Sequence, residues 1–151
     1  MEKIKYETNK LLFSPKFRIH LTIGGPFYDF PEEQIKKLIL ICENFDAFKI
    51  EPDKYSFSDE YFESFFIKIK NSKSLTILRD QIMSINKIEY LRYFNPHISL
   101  SYGDHSIKDK KILLKELPKL KKFFLIESIS LVKFDELLFE WDELINFKLN
   151  L

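Results

Sequence analysis

The chain has 151 residues, of which 45% are hydrophobic and 31% charged, the balance of one soluble globular domain with enough apolar material for a core. Its 24 basic and 23 acidic residues leave a formal charge of +1, which excludes a protein that grips long nucleic acid chiefly by neutralising phosphates. A single cysteine, Cys42, excludes an internal disulfide, and no zinc-type cluster is present.

No run approaches the roughly 18 apolar residues of a membrane span. The amino terminus MEKIKYETNK alternates charge where a secretory signal needs an apolar core, so a reducing, cytoplasmic, membrane-free setting is expected. Residues 1–16 are polar with a short Leu11-Leu12-Phe13, and Ser14-Pro15 reads as a turn into the first strand. Phe17 to Ile23 then alternates, with Phe17, Ile19, Leu21 and Ile23 on one face and Arg18, His20 and Thr22 on the other. Gly24-Gly25-Pro26 ends it, because glycine permits unusual backbone angles and proline cannot continue a ladder.

Pro31-Glu32-Glu33 opens a helix, with proline in the first turn and carboxylates at the positive end of the dipole; the apolar spacing carries it to about Asn44. Cys42 falls on its apolar face and reads as a buried small hydrophobe. Ala47 to Ser58 and Tyr61 to Lys70 read as the strands of a hairpin, and Ser74 as the cap of a second helix ending near Lys87. Tyr90 to Pro96 is an aromatic connection, and Pro96 biases Asn95 toward extended backbone.

His97 to Leu100 is a strand. Ser106 and Asp109 have capping-box spacing for a third helix running to about Leu117 and stopped by Pro118. The Lys-rich run from Lys108 to Lys122 reads as a solvated helix face, and His105 as a solvated loop residue. Two alternating runs close the chain, Phe123 to Phe134 and Leu138 to Leu149, and parity puts Trp141 on the core face with Ile145, Phe147 and Leu149.

Two stretches repeat one pattern. His20-Leu21-Thr22-Ile23 and His97-Ile98-Ser99-Leu100 each place an imidazole and a hydroxyl on one face of a strand and aliphatics on the other, 77 residues apart. The order of strand, helix and strands is similar after each, which suggests two similar lobes within one domain spanning 1–151, an α+β fold with antiparallel sheets and helices outside. Histidine, with an ordinary pKa near 6.5, serves as acid or base near neutral pH, so two imidazoles flanking one phosphorus divide that work. Hydroxyls beside them stabilise charge growing on the non-bridging oxygens.

The paired H-x-[ST]-h motifs resemble the 2H phosphoesterase superfamily, and FRIHLTIG with NPHISLSYGD is similar to the motifs of its cyclic phosphodiesterase branch. The resemblance covers Phe17 to Phe147. It implies a two-lobed fold with two antiparallel sheets lining a central cleft, His20 and His97 as the catalytic pair, Thr22 and Ser99 on phosphate, and no metal or cofactor. Tyr102 matches an aromatic of that branch that touches phosphate or base, but strand parity sets it opposite His97 and Ser99 unless Gly103 or a bulge turns the strand end. Arg18 shares the His20 face and is a candidate helper.

The resemblance further implies a monomeric hydrolase of a small cyclic nucleotide-type phosphate, a nucleoside 2′,3′-cyclic phosphate or ADP-ribose 1″,2″-cyclic phosphate. In that reaction His97 is taken as the base and His20 as the acid. The alternatives are action on an oligonucleotide (a 2′-5′ linkage, an RNA end or a cyclic oligonucleotide) and a binding module without turnover.

Overall fold

The structure, a computed structural model, describes residues 1–151 apart from Lys16, Tyr28, 86–93 and 136–139. It begins with a helix, α1 (Glu2–Leu11), where the sequence pattern predicts none. Ile4, Thr8 and Leu12 recur at helical spacing and are all buried. The stripe is hard to see because its middle member is polar: Thr8 buries its hydroxyl by donating to Ile4 O at 2.8 Å. Beside it Lys5 sinks to 9% exposure. Its Nζ donates to Leu100 O at 2.8 Å and lies 3.3 Å from the centroid of the Phe17 ring.

Residues 17–23 do not form a strand. Among the described residues their one ladder contact is an isolated antiparallel bridge between Leu21 and Ile98. The expected aliphatic face holds for Ile19, Leu21 and Ile23, which pack on the core. On one flank of the segment a cavity of about 590 Å³ lies where a second ladder partner would be, walled by Ile19, His20 and Leu21 on one side and Phe124, Leu125 and Ile126 on the other.

Helix α2 (Glu32–Glu43) follows, with Pro31 as its N-cap and Glu32 and Glu33 in its first turn, and it buries Leu38 and Cys42. The single strand expected over 47–58 is two, β1 (Phe48–Ile50) and β2 (Pro52–Phe57), which lie in different sheets. Pro52 has no N–H to give a ladder and stands where the chain changes sheets. β2 pairs antiparallel with β3 (Phe65–Ile69), so the hairpin stands, but Tyr61–Glu63 is a 3₁₀ turn rather than the start of the second strand.

Helix α3 (Lys73–Ser84) is capped by Ser72, not Ser74: the Ser72 hydroxyl accepts from Leu75 N at 3.3 Å. The expected continuation to Lys87 and most of the Tyr90–Pro96 connection lie outside the described residues.

β4 (His97–Ser101) pairs antiparallel with β3. Helix α4 (Ile107–Glu116) has the expected capping box, with Ser106 accepting from Asp109 N at 3.1 Å and donating to its carboxylate at 2.7 Å. Within the Lys-rich run Lys110 is an exception to a solvated face: it is buried and donates to Ser58 O at 2.8 Å. The next alternating run divides at Glu127 into β5 (Phe124–Ile126), which joins β1, and β6 (Ser128–Asp135), which pairs antiparallel with β7 (Glu140–Lys148).

The fold is thus α+β with antiparallel ladders, and among the described residues these form a three-stranded sheet β2-β3-β4 and the pairs β1-β5 and β6-β7. One apolar cluster gathers Leu12, Phe65, Ile67, Leu100 and Leu113, and a second gathers Leu38, Cys42, Leu78, Ile82 and Phe147. Ile23, Phe48 and Ile126 pack against both. No described helix is long and apolar enough to cross a membrane.

Three of the described ladders slip by one residue, the first in β2, where Pro52 faces Ile69 and Lys54 faces Lys68 so that Asp53 is extra. In β4, Phe66 faces Ser99 and Phe65 faces Ser101, so Leu100 is an extra residue. In β7, Leu131 faces Ile145 and Val132 faces Glu143, so Leu144 is extra. A bulge of this kind reverses the alternation of side chains beyond it.

Candidate active site

The bridge between Leu21 and Ile98 runs the two His tetrads side by side and antiparallel. Tyr102 joins them on the polar side, with its hydroxyl 3.5 Å from His20 Nε2 and hydrogen-bonded to the Ser99 side chain. The two imidazoles are close enough for the charge of one to act on the other.

Each imidazole is anchored in the same way. His20 Nδ1 lies 2.6 Å from Arg18 O, and His97 Nδ1 lies 2.8 Å from Asn95 O, in both cases the carbonyl two residues earlier. A carbonyl only accepts, so Nδ1 carries the hydrogen and Nε2 of each ring is left for chemistry. Burial holds the His20 pKa below the ordinary 6.5, and the charges of His97 and Lys5 act in the same direction, against the Arg18 carbonyl, which raises it.

Ser99 is buried at 4% exposure, whereas Thr22 is exposed. Burial pushes the Tyr102 pKa up, and the hydrogen bond with the Ser99 side chain draws it down. The simple parity expected from the sequence is corrected by the bulge at Leu100, which returns Tyr102 to the His97 and Ser99 face. Gly103 then turns the chain at φ +125°, and a Cβ there would meet the His105 ring at 3.0 Å.

His105 is not merely solvated: its Nε2 lies 3.0 Å from Ser101 Oγ and 3.1 Å from Tyr102 O, which makes it part of the turn.

Tyr102 is held from the α1 side at three points. Ser14 Oγ accepts its backbone N–H at 3.0 Å, the Phe17 ring stacks on its ring at 4.1 Å, and Lys5 ties down both Phe17 and the Leu100 carbonyl. Sequence reasoning missed Lys5, and the only signal for it was its place beside the Ile4-Thr8-Leu12 stripe. Arg18 is engaged elsewhere, in an ion pair with Glu143 at 2.8 Å.

Trp141 is not in the core. The bulge at Leu144 splits the face expected to run from Trp141 to Phe147: Ile145 and Phe147 pack in the second cluster, while Trp141 comes to the His20 side, 5.3 Å between ring centroids. The cavity beside His20 is lined mostly by apolar residues, with Lys121 and Lys122, and has neither His97 nor Ser99 in its wall. Among the described residues no group of three or more His, Cys, Asp or Glu is placed to hold a metal ion.

No family model and no curated protein matches the sequence. Solved structures do match its fold. All of the chain aligns with E. coli LigT in its apo form, covering 93% of that chain at 16% identity with a TM-score of 0.62. It aligns equally with a second crystal structure, of a phosphoesterase, covering 94% of that chain at 15% identity with a TM-score of 0.62. For E. coli LigT complexed with phosphate the coverage is 93% of that chain, the identity 15% and the TM-score 0.61. The chain has the α+β fold of LigT.

Proposed function

We propose that this protein is a metal-independent cyclic phosphodiesterase that opens a small cyclic nucleotide-type phosphate to a phosphomonoester by two-histidine acid–base catalysis. The observation that carries the reading is the matched pair of imidazoles, each with Nδ1 tied to its own chain and Nε2 available, on segments bridged at Leu21 and Ile98. The fold shared with LigT, which is known in complex with phosphate, supports it.

Water attacks phosphorus as one histidine takes its proton; a P–O ester bond breaks as the other histidine protonates the leaving oxygen. His20, kept neutral by burial, is suited to the base and His97 to the acid, the reverse of the roles expected from the sequence. Ser99, Thr22 and Tyr102 supply hydroxyl donors to the phosphate oxygens, where negative charge grows.

The test is turnover of a nucleoside 2′,3′-cyclic phosphate in excess EDTA. His20→Ala and His97→Ala are each expected to lose about 10²- to 10⁴-fold in kcat with circular dichroism unchanged. Either single variant retaining full turnover, or complete loss of wild-type activity in chelator, would overturn the reading. Parallel assays with oligonucleotides measure the alternative substrate class.

A further inference from the structure

Trp141 is the only tryptophan of the chain. Its ring stands 5.3 Å from His20 and 4.6 Å from Phe134, its directly paired neighbour across the β6–β7 ladder. Phe134 meets the edge of Phe62, from the 3₁₀ turn, at 5.8 Å, and Phe62 is 46% exposed. The three rings therefore make a wall that starts at His20 and runs outward to solvent.

The other aromatics near His20 are not available in this way. Phe17 is contacted by the Lys5 ammonium and stacked on Tyr102, and Tyr102 is itself buried. Apolar rings left partly open forgo burial that the core would give them, and here the bulge at Leu144 turns Trp141 from the core face to this one. Flat, polarisable faces at the edge of a phosphate site suit one ligand chemistry above others, a planar heteroaromatic base.

We propose that Trp141, backed by Phe134 and Phe62, is a stacking surface for a nucleobase borne on the same sugar as the reacting phosphate. This rests on the two-histidine reading and narrows its substrate. Because the wall begins at His20, the base it holds must sit one sugar away from the phosphorus. A nucleoside 2′,3′-cyclic phosphate meets that requirement. The cyclic-phosphate ribose of ADP-ribose 1″,2″-cyclic phosphate carries no base, so it does not.

Intrinsic fluorescence reads the contact directly, since all tryptophan emission comes from Trp141. The full chain is titrated with adenosine 2′-monophosphate, ribose 5-phosphate and inorganic phosphate, with calorimetry as a second measure of affinity. The nucleotide is expected to quench the emission and to bind about tenfold or more tighter than the sugar phosphate. Trp141→Leu and the exposed Phe62→Ala, followed by calorimetry, should bring nucleotide affinity down toward that of ribose 5-phosphate.

Equal affinity for nucleotide and sugar phosphate, or nucleotide binding with unchanged emission, would overturn the stacking surface and leave the two-histidine site standing. Failure of all three phosphates to bind would remove both.

Discussion

Replacing Lys5 by methionine tests whether α1 supports the site or only the core. The ammonium is buried and bonded to the Leu100 carbonyl at 2.8 Å, an interaction of a class worth about 1.5–3 kcal/mol, and it sits over Phe17 in a contact worth up to about 2 when desolvated. Against this loss, methionine keeps the apolar stem and removes the cost of burying a charge, several kcal/mol on its own. What remains uncompensated is the carbonyl of a fully buried residue, about 1–3 kcal/mol, so a net loss of about 2 kcal/mol is expected. With a urea slope of about 1–3 kcal/mol per molar, the unfolding midpoint falls by roughly 1 M.

The functional consequence is separate. Leu100 and Phe17 are both holding points of Tyr102, so kcat/KM on a cyclic nucleotide should drop by about tenfold to a hundredfold through misplacement of its hydroxyl. A variant with the wild-type midpoint would refute the energetic argument. A variant that is destabilised but turns over at the full rate would refute the link from α1 to Tyr102.

His20 has a pKa lowered by burial, so the folded state resists its protonation: the stability it contributes is complete above the ordinary 6.5 and is lost as pH falls through the lower folded value. Denaturant midpoints measured across this range should fall toward acid less steeply in His20→Asn than in wild type. The acid limb of kcat/KM should lie below the ordinary histidine value, and a limb above it would contradict the burial argument. The Cys42 thiol, pushed up to about 11 by burial and 1% exposed, should not react with a disulfide reagent at pH 8 until the chain is unfolded; rapid labelling of native protein would place it elsewhere. Ser72→Ala should cost about 1 kcal/mol in thermal or urea unfolding and Ser74→Ala clearly less, with equal losses denying Ser72 its capping role.

What the sequence made legible was local and periodic. The α2 start, the His97 strand and the Ser106–Asp109 box all rest on chemistry within a few residues, and all stand in the structure. What it hid were departures from period. A bulge adds one residue without changing the alternating pattern on the page, so Trp141 reads as core and Tyr102 as facing away, and both are displaced by the same device. Helix α1 escaped because Thr8 and Lys5, polar by type, are buried through bonds to Ile4 O and Leu100 O that sequence cannot display. Residues 17–23 fail in the opposite sense: their alternation is clean, but a ladder needs partners, and among the described residues Ile98 alone bridges to them.

The matching anchors of His20 and His97 bear on direction as well as rate. Each ring leans on a backbone carbonyl rather than on a carboxylate. One passage of two-histidine chemistry leaves the pair with its proton on the other ring, which is the starting arrangement for the reverse passage. On the proposed two-histidine reading, the site should therefore reclose the phosphate with loss of water as well as open it. Product held in ¹⁸O-labelled water should gain label at phosphorus while its net concentration stays constant.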